Sequence, residues 1–391
     1  MSNLNSWPCF SQEEADAVSN VLLSNKVNYW TGEEGKNFER EFAVWCDTKY
    51  SVALANGTVA LELALKALGI GSGDEVIVTP RSFIASVSCV VSVGAKPVFA
   101  DVDLNSGNIS PHKIEGLINK KTKAIICVHL AGFPCEMDEI IKLSLEKNLY
   151  VIEDCAQAHG AKYKGRPVGS IGHIGCWSFC QDKIMSTGGE GGMITTNDEI
   201  LWRKIWSMKD HGKSIKSVYE TEHPPGYRWL HDSFGSNYRM TEMQATIGRI
   251  QLKRIEEWKI IRSKNANLII DVLNKFNSLI RVPKVENTID HAFYKLNVYV
   301  RIDGLAKNWD RDRISDEING MGVPCFSGSC SEIYLEKAFD DFFRPNNPLK
   351  NAKDLGSTSL MFLVHPSLSR SDIKNTCNVI NLILKKATKQ K

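Results

Sequence analysis

The sequence predicts an α/β fold: a large domain built on a mainly parallel sheet flanked by helices, followed by a smaller α+β domain. Two observations carry this. Short β-rich apolar runs alternate with helical stretches between about residues 50 and 200, the pattern of βαβ units. After about residue 240 that texture gives way to long helical periods around one alternating apolar stretch.

Ser51–Ala55 (SVALA) is a short apolar run, and Val59–Leu68 (VALELALKAL) then spaces its apolar residues as a helix does. Glu75–Thr79, Pro97–Val102, Ala124–His129 and Tyr150–Glu153 are strand-like, and Met137–Lys147 carries a helical period. Ile174–Phe179 and Met193–Thr196 predict further strands. Met240–Ile260 predicts one long helix, Leu296–Val300 a strand, and Ile373–Lys386 a C-terminal helix. We divide the chain into a large domain, 1–255, and a small domain, 256–391, the first thirty or so residues being candidates to pack on the small domain.

Composition narrows the function. The 391 residues are 43% hydrophobic and 24% charged, as in an ordinary soluble globular protein. A net charge of +3, from 48 basic and 45 acidic residues, gives no reason to expect a nucleic-acid or membrane partner. The polar opening Met1–Asn5 lacks the basic-then-apolar layout of a signal peptide, and no run approaches the roughly 20 apolar residues of a membrane span. The expectation is a cytoplasmic protein. Eleven cysteines are scattered without a C-x-x-C pair, so they read as reduced thiols packed as small hydrophobes, and no metal is expected. Cys176 and Cys180 would share one face of a strand.

Three segments carry chemistry. Asn56-Gly57-Thr58 joins a strand to a helix, and a helix N-terminus offers unpaired N–H groups to a phosphate. Gly57 would let the backbone approach and Thr58 would add a hydroxyl; the plainer alternative is that Thr58 caps the helix. Asp154 ends a buried strand, where α/β sheets present groups to ligands. A carboxylate there can keep a pyridine nitrogen protonated so that the ring accepts electrons, or it can simply cap the strand. Gln157 could donate to a phenolic oxygen on such a ring. Lys183 lies between a strand and the glycine-rich turn Gly188-Gly189-Glu190-Gly191-Gly192, where chain and ligand approach closely. A lysine in such a cleft forms an imine with an aldehyde once its amine loses a proton; elsewhere it is a solvated charge. Ser178 could reach the same phosphate as Thr58.

These pieces, in order with Trp30-Thr31-Gly32, Pro80-Arg81-Ser82-Phe83, His129-Leu130-Ala131-Gly132 and Gly235-Ser236-Asn237-Tyr238-Arg239-Met240, closely resemble the DegT/DnrJ/EryC1/StrS family of sugar aminotransferases, of the type I aspartate-aminotransferase fold, over nearly the whole chain. The resemblance implies that Lys183 holds pyridoxal 5'-phosphate as a Schiff base and shuttles protons, and that Asp154 pairs with the pyridine nitrogen. It implies that Phe83 stacks on the ring and that Gly57, Thr58 and Ser178 hold the phosphate. Asn237 would reach that phosphate from a neighbouring subunit of a homodimer. Arg239, Arg228 and Trp30 would serve the substrate, although a surface arginine is the default for the first two. L-glutamate would convert the cofactor to pyridoxamine 5'-phosphate, which would then aminate a nucleotide-linked keto-sugar for a surface polysaccharide such as O-antigen or another glycoconjugate.

Three stretches depart from the family pattern: the substrate loop Pro324–Glu332, the triplet Cys180-Gln181-Asp182, and the glycine turn 188–192. The last resembles members that aminate C4, so the expected substrate is a 4-keto-6-deoxyhexose or an N-acetylhexosamine derivative. The rival readings are a 3-keto-sugar aminotransferase and a deoxysugar dehydratase, the latter opposed by Lys183 because histidine stands there in such relatives. An amino-acid aminotransferase or a non-catalytic regulator would be more distant alternatives.

Overall fold

The computed structural model describes residues 6–339 and 343–389. Met1–Asn5, on which the leader expectation rests, lie outside them.

A seven-stranded sheet organises residues 50–196. Its strands are β1 (Tyr50–Leu54), β2 (Glu75–Val78), β3 (Lys96–Phe99), β4 (Thr122–Val128), β5 (Tyr150–Asp154), β8 (Ile174–Ser178) and β9 (Gly192–Thr196), in the order β1-β9-β8-β5-β4-β2-β3. The five strands from β3 to β8 run parallel, while β9 is antiparallel to both its neighbours. The α/β expectation holds. Central strands of such a sheet are covered on both faces and so read as continuous apolar runs, which is why β4 and β5 stand out in the sequence. β6 (Lys162–Tyr163) and β7 (Arg166–Pro167) form a small sheet with β11 (Ile289–Asp290).

Residues beyond 255 build a second sheet, β10 (Ile280–Arg281), β12 (Leu296–Val300), β13 (Cys325–Phe326) and β14 (Ser359–Phe362), in the order β10-β12-β14-β13. The helices Ile255–Leu273 and Arg370–Ala387 pack with it in one apolar cluster that includes Ile269, Val298, Phe362 and Ile380.

Three local expectations are corrected. The helical period of Met240–Ile260 is split into Glu242–Leu252 and Ile255–Leu273. No glycine or proline marks the break; Arg254 sits there, pairing with Glu13 and with Glu14, the latter at 3.0 Å. The helix after β1 starts at Gly57 and is capped by Asn56, whose side chain accepts from the Val59 N–H at 2.9 Å; Thr58 is therefore not the cap. Cys180 lies beyond the end of β8 rather than sharing a strand face with Cys176. Seven of the eleven cysteines are buried and all are free thiols. No helix among the described residues is long and apolar enough to cross a membrane.

Candidate active site

β1, β5 and β8 end on one side of the sheet, and the groups they deliver line a cavity of about 580 Å³: Asn56, Gly57, Thr58, Phe83, Asp154, Gln157, Ser178 and Lys183 all face it. Seven of the residues singled out in the sequence thus meet in one cleft, from segments up to 126 positions apart (57 to 183). A second lobe of about 510 Å³ shares Ser82, Phe83, Gln157, Asp182 and Lys183, and is closed by Tyr294, Lys295 and the segment Gly328–Cys330.

At the floor, the Asp154 carboxyl is only 4% exposed. It accepts from the Ser86 hydroxyl at 2.7 Å and from the Ala156 N–H at 3.1 Å. Burial drives its pKa up; Ser86, Ala156 and the charge of Lys183 oppose this without cancelling it. Such an acid is poised for a cationic hydrogen-bond donor, since only a compensating charge makes a buried carboxylate cheap to keep ionised.

Behind it, Glu153 is wholly buried and accepts from the N–H groups of Gly169, Ile171 and Gly172 at 2.9, 2.8 and 2.6 Å, and from His129 Nε2 at 3.1 Å. Burial raises its pKa, but these donors outweigh it and hold the carboxyl below its usual range. His129 Nδ1 accepts from the Cys135 N–H, so the ring donates through Nε2. His129, Glu153 and Cys155 approach one another closely enough to suggest a metal site, yet both imidazole nitrogens are already engaged. This cluster anchors the end of β5 and thereby aims Asp154.

Lys183 sits in the turn after β8, its Nζ 3.5 Å from Asp182 Oδ1 and 5.4 Å from the centre of the Tyr294 ring. Burial raises the Asp182 pKa, but Lys183 and the Tyr294 hydroxyl, which donates to Asp182 Oδ2, hold it below normal. Tyr294 and Ser86 were not singled out from the sequence, and Asp182 was noted there only as part of an unusual triplet, without a role. Tyr294 comes from the lead-in to β12 of the second sheet, 111 positions after Lys183, and only the tertiary fold brings it there.

The opposite end is a phosphate-sized cradle. Gly57 and Thr58 are the first residues of their helix, so their N–H groups lie among the unpaired donors at its positive end. Among the described residues, the Thr58 hydroxyl has no hydrogen-bond partner. A Cβ on Gly57 would stand 2.7 Å from Ser178 Cβ and 3.2 Å from Ser178 Oγ, so only glycine leaves this space open. Phe83 is 66% exposed and turned to both lobes. Gln157 accepts from the Ala131 N–H at 2.7 Å through Oε1, leaving its Nε2 for a ligand. Donors at one end, an aromatic face between and a carboxyl at the other fit pyridoxal phosphate. Gly57→Ala is expected to weaken cofactor binding at least about tenfold, the loss of one or two charge-assisted hydrogen bonds, and to lower the melting temperature of the cofactor-free protein as well, because Ser178 Cβ, 2.7 Å from the added carbon, must shift; titration with pyridoxal phosphate reads the first effect and a thermal melt the second.

Four of the residues named from the sequence do not reach this cleft within one chain. Trp30 Nε1 donates to Asp210 Oδ2 at 2.6 Å and Arg239 pairs with Asp210 Oδ1 at 2.6 Å. The Asn237 backbone bridges to Asp210, and Arg228 is exposed.

The comparisons agree with this architecture. The model of the DegT/DnrJ/EryC1/StrS aminotransferase family matches residues 8–381. An aminotransferase from Psychrobacter cryohalolentis, solved by X-ray crystallography, is 62% identical, with a TM-score of 0.97 over 98% of this chain and 99% of that one. GDP-perosamine synthases from Vibrio cholerae (41% identical over 90% of this chain and 92% of that protein) and Escherichia coli O157:H7 (36% over 96% of each) are further relatives. The chain belongs to the DegT/DnrJ/EryC1/StrS aminotransferase family and is a pyridoxal-phosphate-dependent aminotransferase.

Proposed function

We propose that the protein moves the amino group of L-glutamate to a nucleotide-linked 4-keto-6-deoxyhexose or its N-acetylhexosamine counterpart, in the cytoplasm, on the way to a surface polysaccharide such as O-antigen or another glycoconjugate. The observation that carries this reading is the placing of Lys183 and Asp154 on one cleft that also holds a phosphate cradle. The relatives named as GDP-perosamine synthases support a sugar on a nucleoside diphosphate.

Bound pyridoxal phosphate supplies an aldehyde for amine exchange and an aromatic ring that takes up electron density. The chain does the rest. Gly57, Thr58 and Ser178 would hold the phosphate, Phe83 would cover the ring face, and Gln157 Nε2 would be free to donate to a ring oxygen. The Asp154 carboxylate would favour a protonated ring nitrogen. Lys183 Nζ would be the attachment point, and its amine would hold and move the proton at the reacting carbon. Asp182 and Tyr294 keep that nitrogen in place between transfers. Residues 1–255 would form the cofactor domain and 256–391 the domain that closes the substrate lobe.

We also propose a homodimer. Tyr227, Trp229 and Phe234 are 75%, 79% and 100% exposed on the segment leading to Asn237, an apolar arm that a second copy would cover. Asn237 would then complete the partner's phosphate site. Mixing a Lys183→Ala chain with an Asn237→Ala chain is expected to restore part of the activity, because each heterodimer keeps one intact composite site; no recovery would refute a shared site.

The function is tested by incubating the protein with L-glutamate and a panel of UDP-, GDP- and dTDP-linked keto-sugars. An amino sugar and an equivalent of 2-oxoglutarate are expected by mass spectrometry. A 3-deoxy product without nitrogen would identify a dehydratase instead, and amination of simple 2-oxo acids alone would identify an amino-acid aminotransferase.

A further inference from the structure

The cleft has to receive two chemically different guests in turn: an amino donor with carboxylates next to its reacting carbon, and a sugar whose ring is uncharged around its ketone. The two lobes are lined by only two cations among the described residues, Lys183 and Lys295. Lys183 is committed to the amine exchange. Lys295 follows Tyr294 in β12's lead-in, and its Nζ lies 4.9 Å from the centre of the ring that Lys183 approaches at 5.4 Å. The two amines therefore share one aromatic ring, and Lys295 lines the substrate lobe together with Phe326, Gly328 and Met361. Among the described residues, no carboxylate, hydroxyl or carbonyl pairs with Lys295 Nζ.

A half-buried cation with an aromatic neighbour and no anionic partner is a receptor for an anion. The position of that anion follows from the chemistry. In an amino acid the carboxylate is one bond from the carbon that exchanges its amine. In a nucleotide sugar the diphosphate hangs from C1, on the far side of the ring from a ketone at C4. A cation held on the same tyrosine as the reacting lysine suits the first and not the second.

We propose that Lys295 is the donor-recognition residue, its ammonium pairing with a carboxylate of the amino-acid donor; this rests on the transaminase reading above. The surroundings suit a site that must alternate between guests. Burial is the main influence on Lys295, with Arg262 and Lys183 pushing the same way and Asp182 opposing, and together they bring its pKa down to about 8. His365 lies within its electrostatic reach, and Glu336 lines the same lobe. An ammonium of that acidity is charged when a carboxylate arrives and can give up its proton when an uncharged sugar ring replaces it.

The test uses holoenzyme carrying Lys295→Gln or Lys295→Arg, and reads the donor and acceptor halves separately. Glutarate, an unreactive dicarboxylate, is titrated by calorimetry, and the half-reaction with L-glutamate is followed by cofactor absorbance in single turnover. With Lys295→Gln, the Kd for glutarate and the half-saturating glutamate concentration are expected to rise about 30-fold, the scale of one charge-assisted hydrogen bond. Lys295→Arg should keep both within about fivefold, since the positive charge is preserved. Wild-type affinity for glutarate should fall as pH rises through about 8, and Lys295→Gln should flatten that dependence. A glutamate half-reaction unchanged in Lys295→Gln overturns the proposal, as does a defect confined to the keto-sugar half. If the wild-type protein reacts with glutamate but with none of the keto-sugars, the acceptor class is wrong and the Lys295 assignment still stands or falls on the glutarate titration.

Discussion

Replacing Lys183 with alanine is expected to lower turnover by a factor of about 10⁴ or more, because one nitrogen serves as both attachment point and proton carrier, and a positioned proton carrier alone accounts for up to about 10⁴. Borohydride reduction followed by intact-mass measurement should fix the cofactor to the wild-type chain and leave the variant unmodified. The fold should survive. The Lys183 side chain is 15% exposed and its pairing with Asp182, at 3.5 Å, is with a carboxylate 56% exposed, a geometry worth little to stability. Asp182 also keeps the Tyr294 hydroxyl. Two electrostatic traces should accompany the loss, since Lys183 draws down the carboxyl pKa of both Asp154 and Asp182: each should move up in the variant. Retained turnover with a full absorption band would place the attachment point elsewhere.

Asp154→Asn should cost on the order of 10³ in kcat/KM, the scale set by removing one preorganised electrostatic partner from a buried site. A neutral amide cannot keep a ring nitrogen protonated. Stability should respond in the opposite sense in the cofactor-free protein. The folded-state pKa of Asp154 is raised, chiefly by burial, while the unfolded value is ordinary. The resulting penalty is absent below the unfolded pKa, grows between the unfolded and folded values, and is fully present above the folded one. At neutral pH the asparagine variant escapes it and should melt no lower than the wild type; the advantage should shrink as pH is lowered toward the ordinary aspartate range. Asparagine Oδ1 can still accept from the Ala156 N–H, and its Nδ2 can donate to Ser86 Oγ once that hydroxyl turns to another acceptor. Thermal melts of both cofactor-free proteins between pH 4 and 8 check the sign. A variant that lost stability and activity together would mean Asp154 is a structural strand-end residue.

The chain's one-dimensional pattern determined the parallel α/β sheet and singled out Lys183, Asp154, Gly57, Thr58, Gln157 and Ser178 through local signals, while Phe83 came from the family resemblance. Central strands such as β4 and β5 are apolar on both faces, a strand-to-helix turn must expose its N–H groups, and an acid closing a buried run is conspicuous. It even gave the helix Met137–Lys147 to the residue. What it could not give are relations between segments that carry no local mark. Ser86 looks like any helical serine until the fold sets its hydroxyl 2.7 Å from Asp154. Tyr294 and Lys295 look like part of a strand's approach until the second sheet folds over the first and turns them toward Lys183. The break between Leu252 and Ile255 has no helix-ending residue and coincides with Arg254 reaching Glu13 and Glu14 across some 240 positions. Periodicity records which side of an element faces the interior; only packing decides which other element it meets there, and the substrate lobe is made of such meetings.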